Sequence, residues 1–159
     1  MNITIVCVGK IKEKYFTDAI SEYSKRLSKY IKLIITEVGD EKTPQFASDR
    51  EEEIIRDKEG ERILKAIPKD AFKVALCIDG KAFDSPGFSK YIENLQIQGV
   101  SHICFIIGGS LGLSQSVLNA CNFKVSFSKM TFPHQLMRVI LLEQVYRAYR
   151  IMKNEPYHK

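Results

Sequence analysis

Residues 123–152 read FKVSFSKMTFPHQLMRVILLEQVYRAYRIM, a short apolar run, a polar loop and a long amphipathic stretch in direct succession. The run FKVSF alternates apolar and polar residues and predicts a strand over 123–127. Pro133 marks the start of the next element, because proline is tolerated in the first turn of a helix and not in its interior. From 134 to 152 the residues are apolar around much of a helical circumference. One sheet face cannot cover that much, so the helix is expected to need a second apolar partner.

The same alternation extends upstream. Strands are predicted at about 2–8 (NITIVCV), 31–38 (IKLIITEV), 72–78 (FKVALCI) and 103–107 (ICFII), each run ending at Gly, Asp or Ser. Between them, 13–29 places Tyr15, Phe16, Ala19, Ile20, Tyr23 and Leu27 on one helical face. A second helix over 49–66 opens with Asp49, Glu51, Glu52 and Glu53, where the positive end of the helix dipole favours acids. A third starts near Ser85-Pro86, with Ser85 as expected cap, and a short fourth covers 114–121. Regular β-α alternation predicts an α/β fold, a parallel sheet flanked by helices on both faces. No repeat or linker divides residues 1–159, so a single domain is expected.

Composition narrows the classes. Cys7, Cys77, Cys104 and Cys121 sit singly in apolar runs without metal-ligand spacing. They are read as reduced core residues, with no metal expected. The opening residues lack the basic and apolar regions of a signal peptide, and no run approaches the roughly 18 apolar residues of a membrane span. A cytoplasmic protein without membrane association is the expectation. The net charge of +5 is unevenly placed: residues 1–100 balance 17 Lys/Arg against 17 Asp/Glu, whereas 101–159 carry 7 against 2. That asymmetry points to a face that meets a polyanion.

Ligands of parallel α/β sheets bind beyond the carboxyl ends of the strands. Three such ends stand out: Leu76-Cys77-Ile78-Asp79-Gly80-Lys81, Ile107-Gly108-Gly109-Ser110-Leu111-Gly112, and Phe127 through Ser128, Lys129, Met130, Thr131, Phe132 and Pro133 to His134. Gly108-Gly109 after a strand lets backbone approach a ligand closely. The spacing fits neither the dinucleotide nor the P-loop pattern. Asp79-Gly80 alone reads as a turn, and His102 as a structural residue. His134 reads as a helix-start residue. Arg147 and Arg150 lie one helical turn apart and share a face, as a surface pair or a phosphate clamp.

The stretch Phe127 to Gln135, followed by Arg138, Glu143-Gln144, Tyr146-Arg147-Ala148 and the ending Pro156-Tyr157-His158-Lys159, resembles the bacterial rRNA large subunit methyltransferase H family. That family is a minimal branch of the knotted SPOUT methyltransferases. The resemblance runs end to end, from Val8-Gly9-Lys10 through Gly108-Gly109-Ser110 to Lys159. It implies a C-terminal deep trefoil knot, an arrangement that general topology rules would not select. It also implies S-adenosylmethionine-dependent methylation of N3 of pseudouridine 1915 in 23S ribosomal RNA. By the same resemblance the cofactor falls to Leu76, Gly108, Phe127, Ser128, Lys129, Met130, Thr131 and Phe132. The last helix becomes a homodimer interface.

Catalytic roles fall to His158, Tyr157 and Arg147, and RNA contacts to Arg138, Arg147, Arg150, Tyr157 and Lys159. An imidazole exchanges protons near neutral pH, and tyrosine and arginine planes stack on unpaired bases. The polar tail 157–159 is expected to add little to the fold. Two other classes share much of this pattern: a non-catalytic RNA- or ribosome-binding module, and a doubly wound nucleotide-binding protein without RNA. Affinity for S-adenosylmethionine separates both from the enzyme.

Overall fold

The computed structural model describes residues 1–159. Strands β1 (Asn2–Val8), β2 (Lys32–Val38), β3 (Phe72–Ala82), β4 (His102–Ile107) and β5 (Phe123–Ser126) alternate with helices α1 (Lys14–Leu27), α2 (Asp49–Ala66), α3 (Ser85–Ile97), α4 (Gln115–Ala120) and α5 (His134–Met152). The strands form one sheet of order β2-β1-β4-β3-β5, and every pairing is parallel. This is the α/β architecture expected from the alternation.

Burial on both faces explains the apolar runs. Ile3, Ile5, Cys7, Val74, Ile103 and Phe105 join one core with Leu27, Phe88 and Leu142, on the side of α1, α3 and α5. Val6, Val8, Cys104 and Ile106 join a second with Ile63 and Val117, beneath α2 and α4. Adjacent strand residues thus serve opposite layers, as a doubly covered parallel sheet requires. His102 caps the bottom of the sheet through a 2.8 Å hydrogen bond with Thr4 Oγ1, the structural role expected of it.

Local detail refines these elements. α3 is capped by Asp84, which accepts from the Gly87 N–H at 2.7 Å, so Ser85 is already the first helical residue. α2 has the acidic first turn expected, but its cap is Ser48, accepting from Glu51 N–H. β3 does not end near Ile78: it bulges over 77–80 and rejoins β5 at Lys81 and Ala82.

The apolar circumference of α5 finds much of its cover within the chain. The helix packs between α1 and α3, and each of its residues is buried or half-buried. Leu141 and Leu142 are 0 % exposed, so they belong to the core and not to a surface contact. A carboxylate there has no partner, and an uncompensated buried charge costs about 3–5 kcal/mol against a total stability of about 5–15 kcal/mol. Leu142→Asp is therefore expected to unfold the chain, read as lost circular dichroism and aggregation in sedimentation. A well-folded Leu142→Asp protein would overturn that core placement.

Candidate active site

The loops beyond β3, β4 and β5 converge. Together with the start of α5 they enclose a cavity of about 750 Å³, within the range of small-molecule sites. Leu76, Gly108, Phe127, Ser128, Met130, Thr131 and Phe132 all line it. Lys129 does not: its side chain is exposed, because the turn made by Met130 N–H donating to Ser128 Oγ (2.9 Å) leaves it facing outward. Cys77, Ile78, Leu111, His134, Gln135 and Met137 complete much of the wall. Among the lining residues there is no aspartate or glutamate.

Glycines shape this wall by making close approaches possible. A Cβ at Gly108 meets the backbone carbonyl carbon of Gly112 at 2.7 Å and its oxygen at 2.8 Å. Gly112 itself has φ +82°, and its N–H donates to Gly109 O at 3.1 Å, so residues 108–112 fold back on themselves. The constraint on Gly108 is thus the loop's own backbone, rather than only a ligand beyond it. Gly80 is tighter still, since a Cβ there lies 2.5 Å from the Val125 carbonyl carbon. Asp79-Gly80 is not a simple turn. It is where the β3 bulge packs closely against the β5 backbone.

Behind the loop, Glu59 of α2 is 4 % exposed and accepts the Glu41 N–H at 3.0 Å. Burial raises its carboxyl pKa above the ordinary range. A Cβ at Gly109 lies 3.1 Å from its Oε1. Glu59 lies outside the acidic first turn that the sequence marks in α2. Its one signal is its place beside Gly60 in that helix.

Burial raises the Cys77 thiol pKa and pushes Cys7 up to about 11 and Cys104 up to about 12. Near neutral pH these thiols stay protonated, as small apolar residues do.

Arg138 corrects an expectation. Its side chain is 1 % exposed and donates to Val8 O (2.8 Å), Gly9 O (2.7 Å) and Glu37 Oε2 (2.7 Å). It is a bolt between the ends of β1 and β2 and the start of α5, too deeply buried to meet a phosphate. One turn earlier, His134 stands at the cavity wall beside Gly9 and Asp40. Burial lowers its pKa, reinforced by Arg138, so its imidazole is neutral near pH 7.

A second cavity of about 630 Å³ adjoins the first and shares Phe127 and Phe132 with it. Phe83, Ser85, Ile140, Gln144 and His158 are among its other walls. The tail that brings His158 there is docked rather than frayed. Tyr157 donates to Glu143 Oε1 at 3.0 Å, its ring meets Tyr146 edge-on at 5.0 Å, and the Arg147 guanidinium lies 4.6 Å over it. Burial and the bond to Glu143 push the Tyr157 phenol up to about 12, so it remains a donor near pH 7.

Arg147 pairs with Glu143 at 2.7 Å and lies 3.3 Å from His158 Nδ1. The structure thus brings the three residues assigned catalytic roles together. Arg150 is spent differently, on Glu155, on Tyr30 and on the Pro156 carbonyl at 2.8 Å. The pair Arg147 and Arg150 therefore holds the tail instead of forming an open phosphate clamp. Lys159 is exposed.

A parallel sheet with a ligand cavity over its carboxyl ends defines a class, the α/β proteins that bind a small molecule between sheet-end loops. Solved structures narrow the fold. A protein of Haemophilus influenzae described as a methylase family member superposes with TM-score 0.55 at 10 % identity, over 99 % of this chain and 70 % of that one. A protein of Legionella pneumophila, described as a methyltransferase and solved with the cofactor SAM bound, gives 0.50 at 14 % identity, over 94 % and 66 %. The sequence matches the family described as "Predicted SPOUT methyltransferase" over residues 1–158. The chain belongs to the SPOUT methyltransferase family. Curated relatives named ribosomal RNA large subunit methyltransferase H are 64 % identical in Clostridium botulinum and 60 % in Clostridium beijerinckii, covering 100 % of both chains in each case.

Proposed function

We propose that this protein is a 23S ribosomal RNA methyltransferase that uses S-adenosylmethionine and modifies N3 of a pseudouridine, at the position numbered 1915. One observation carries the reading. In a chain of this family, three sheet-end loops meet in a cavity of about 750 Å³ with apolar and backbone walls and no carboxylate.

Such walls fit a sulfonium cofactor bound for transfer. A carboxylate would favour the cation before its charge is neutralised, whereas neutral walls favour the transition state relatively more. Apolar residues such as Leu76, Ile78 and Leu111 suit a purine, and the closed 108–112 turn offers backbone groups. Bound there, S-adenosylmethionine supplies an electrophilic methyl group.

The chain's own residues supply positioning and proton transfer. The acceptor nitrogen carries a proton between two carbonyls, and a base must take it near the moment of attack. His158 is the group assigned to that role. Arg147, held by Glu143, donates toward His158 Nδ1 at 3.3 Å, so that nitrogen takes a substrate proton only once this contact opens, and Tyr157, whose phenol proton is given to Glu143, holds the tail in place. Tyr157 and Lys159 are assigned to RNA. The fold reading includes a C-terminal trefoil knot, supported by family membership. A homodimer through the half-buried residues of α5 and a cytoplasmic location complete the reading. No helix is long and apolar enough to cross a membrane.

Calorimetry with S-adenosylmethionine tests the proposal. Binding in the micromolar range is expected, together with protection of Cys77 from alkylation, since that thiol lines the cavity. Absence of binding at millimolar cofactor, with Cys77 equally reactive throughout, would return the chain to a non-catalytic RNA-binding role.

A further inference from the structure

Three of the arginines counted toward an RNA substrate are not free. Of the seven Lys and Arg in the basic last third, Arg138, Arg147 and Arg150 are bound to Glu37, Glu143 and Glu155. A side chain already paired has little net charge to give a phosphate. Lys124, Lys129, Lys153 and Lys159 stay exposed and without ion pairs, and a second group of cations lies at the carboxyl end of the sheet.

The segment between β1 and α1 provides them. Lys10 and Lys12 are exposed and make no ion pair or hydrogen bond, whereas Lys14 is tied to Asp18 at 2.6 Å. Between and beyond them, Glu13 precedes α1 without capping it, and Tyr15 leaves 69 % of its surface in water. Exposed aromatic rings beside unpaired lysines are the parts from which single-stranded RNA platforms are built.

The base of the segment is rigid. Gly9 has φ +84°, its N–H donates to Val38 O at 2.8 Å, and its carbonyl accepts from Arg138 at 2.7 Å. Ile11 N–H donates to Glu37 Oε2 at 3.1 Å. The same Arg138 anchors the start of α5, and a Cβ at Gly9 lies 3.6 Å from Nε2 of His134, which lines the cavity. These bonds fix the backbone at Gly9 and Ile11, from which Lys10 and Lys12 extend, relative to the cavity rim. A segment whose backbone is already ordered costs less entropy on binding than a mobile one.

We infer that residues Lys10 to Tyr15 form an RNA-docking edge, with Lys10 and Lys12 on consecutive phosphates and Tyr15 stacked on an unpaired base beside the cavity. The inference rests on the RNA methyltransferase reading and deepens it.

The test uses the full-length protein with a single-stranded RNA oligonucleotide and, separately, with purified ribosomes lacking the modification. Affinity is measured across salt concentrations. Losing two phosphate contacts reduces the slope of log affinity against log salt by about 1.4 for single-stranded RNA. Lys10→Ala/Lys12→Ala is expected to show that reduction with unchanged melting temperature and cofactor affinity. Lys10→Arg/Lys12→Arg should restore the slope. Tyr15→Ala should weaken binding roughly 5- to 100-fold at an unchanged slope. A wild-type slope in the double alanine variant overturns the inference, as does failure of the arginine pair to restore it. If wild-type protein binds RNA in this manner but never binds S-adenosylmethionine, the docking edge stands and the methyltransferase reading falls.

Discussion

Gly108→Val is expected to abolish S-adenosylmethionine binding while leaving most of the fold in place. A single Cβ at this position already stands 2.7–2.8 Å from the backbone of Gly112, and valine adds two methyl groups to it. Backbone cannot swing away as a side-chain end can, so residues 108–112 must move. They form the wall of the cavity between β4 and α4. Overpacking of this kind costs about 1–3 kcal/mol, which a domain of this size survives. The cofactor loses a continuous wall, so calorimetry should show no heat at millimolar concentration. Gly108→Ala should be intermediate. Gly99→Ala is the control: its Cβ meets nothing within 4 Å, and its φ of +90° charges any strain to stability alone. A Gly108→Val protein with wild-type cofactor affinity would remove the 108–112 turn from the binding site.

Much of this was legible in the chain because local chemistry repeats at fixed periods. The five strands and five helices fall where periodicity, prolines and strand-end glycines place them, save that β3 runs on to Ala82. The three loops that converge were marked by a different signal, small or polar residues directly after buried strands. Gly108 was read as a residue that admits a ligand, and its actual neighbour is Gly112. Sequence shows that a glycine is needed and not which backbone approaches it. The bulge of β3 over 77–80 escaped for a related reason, since Lys81 and Ala82 rejoin β5 only after the chain has passed 40 further residues.

Charge was the least legible property. Arg138, Arg147 and Arg150 count equally in a tally of basic residues, yet their carboxylates Glu37, Glu143 and Glu155 come from three different places in the chain. Only the Arg147 to Glu143 pair has the helical spacing that sequence can reveal. The 101-residue separation of Arg138 from Glu37 leaves no local trace, and its burial turns an expected RNA contact into a bolt. The apolar girth of α5 has a similar non-local answer. Its need for partners was real, and α1 and α3 meet much of it before any second chain does.

Removal of residues 157–159 is expected to reduce methyl transfer to ribosomal RNA by at least about 10²-fold, the lower end for loss of general acid–base help. The structure alters what else must happen. Tyr157 holds the tail through Glu143, Tyr146 and Arg147, so the truncation also costs stability, about 1–2 kcal/mol for one hydrogen bond and one aromatic contact. For a chain of this length that lowers the melting temperature by roughly 2–8 °C. Truncation alone therefore confounds chemistry with docking, and His158→Ala separates them. His158 is exposed and adds only a 3.3 Å contact to Arg147, so its removal leaves Tyr157 seated and the melting temperature unchanged. Cofactor affinity should also hold, because the imidazole faces the second cavity, across Phe127 and Phe132 from the first. A fall in turnover at saturating RNA then assigns proton transfer to His158. A weaker apparent RNA affinity at full turnover assigns it to substrate grip. Wild-type activity in both His158→Ala and the truncated protein would show that the docked tail serves only to cover α5.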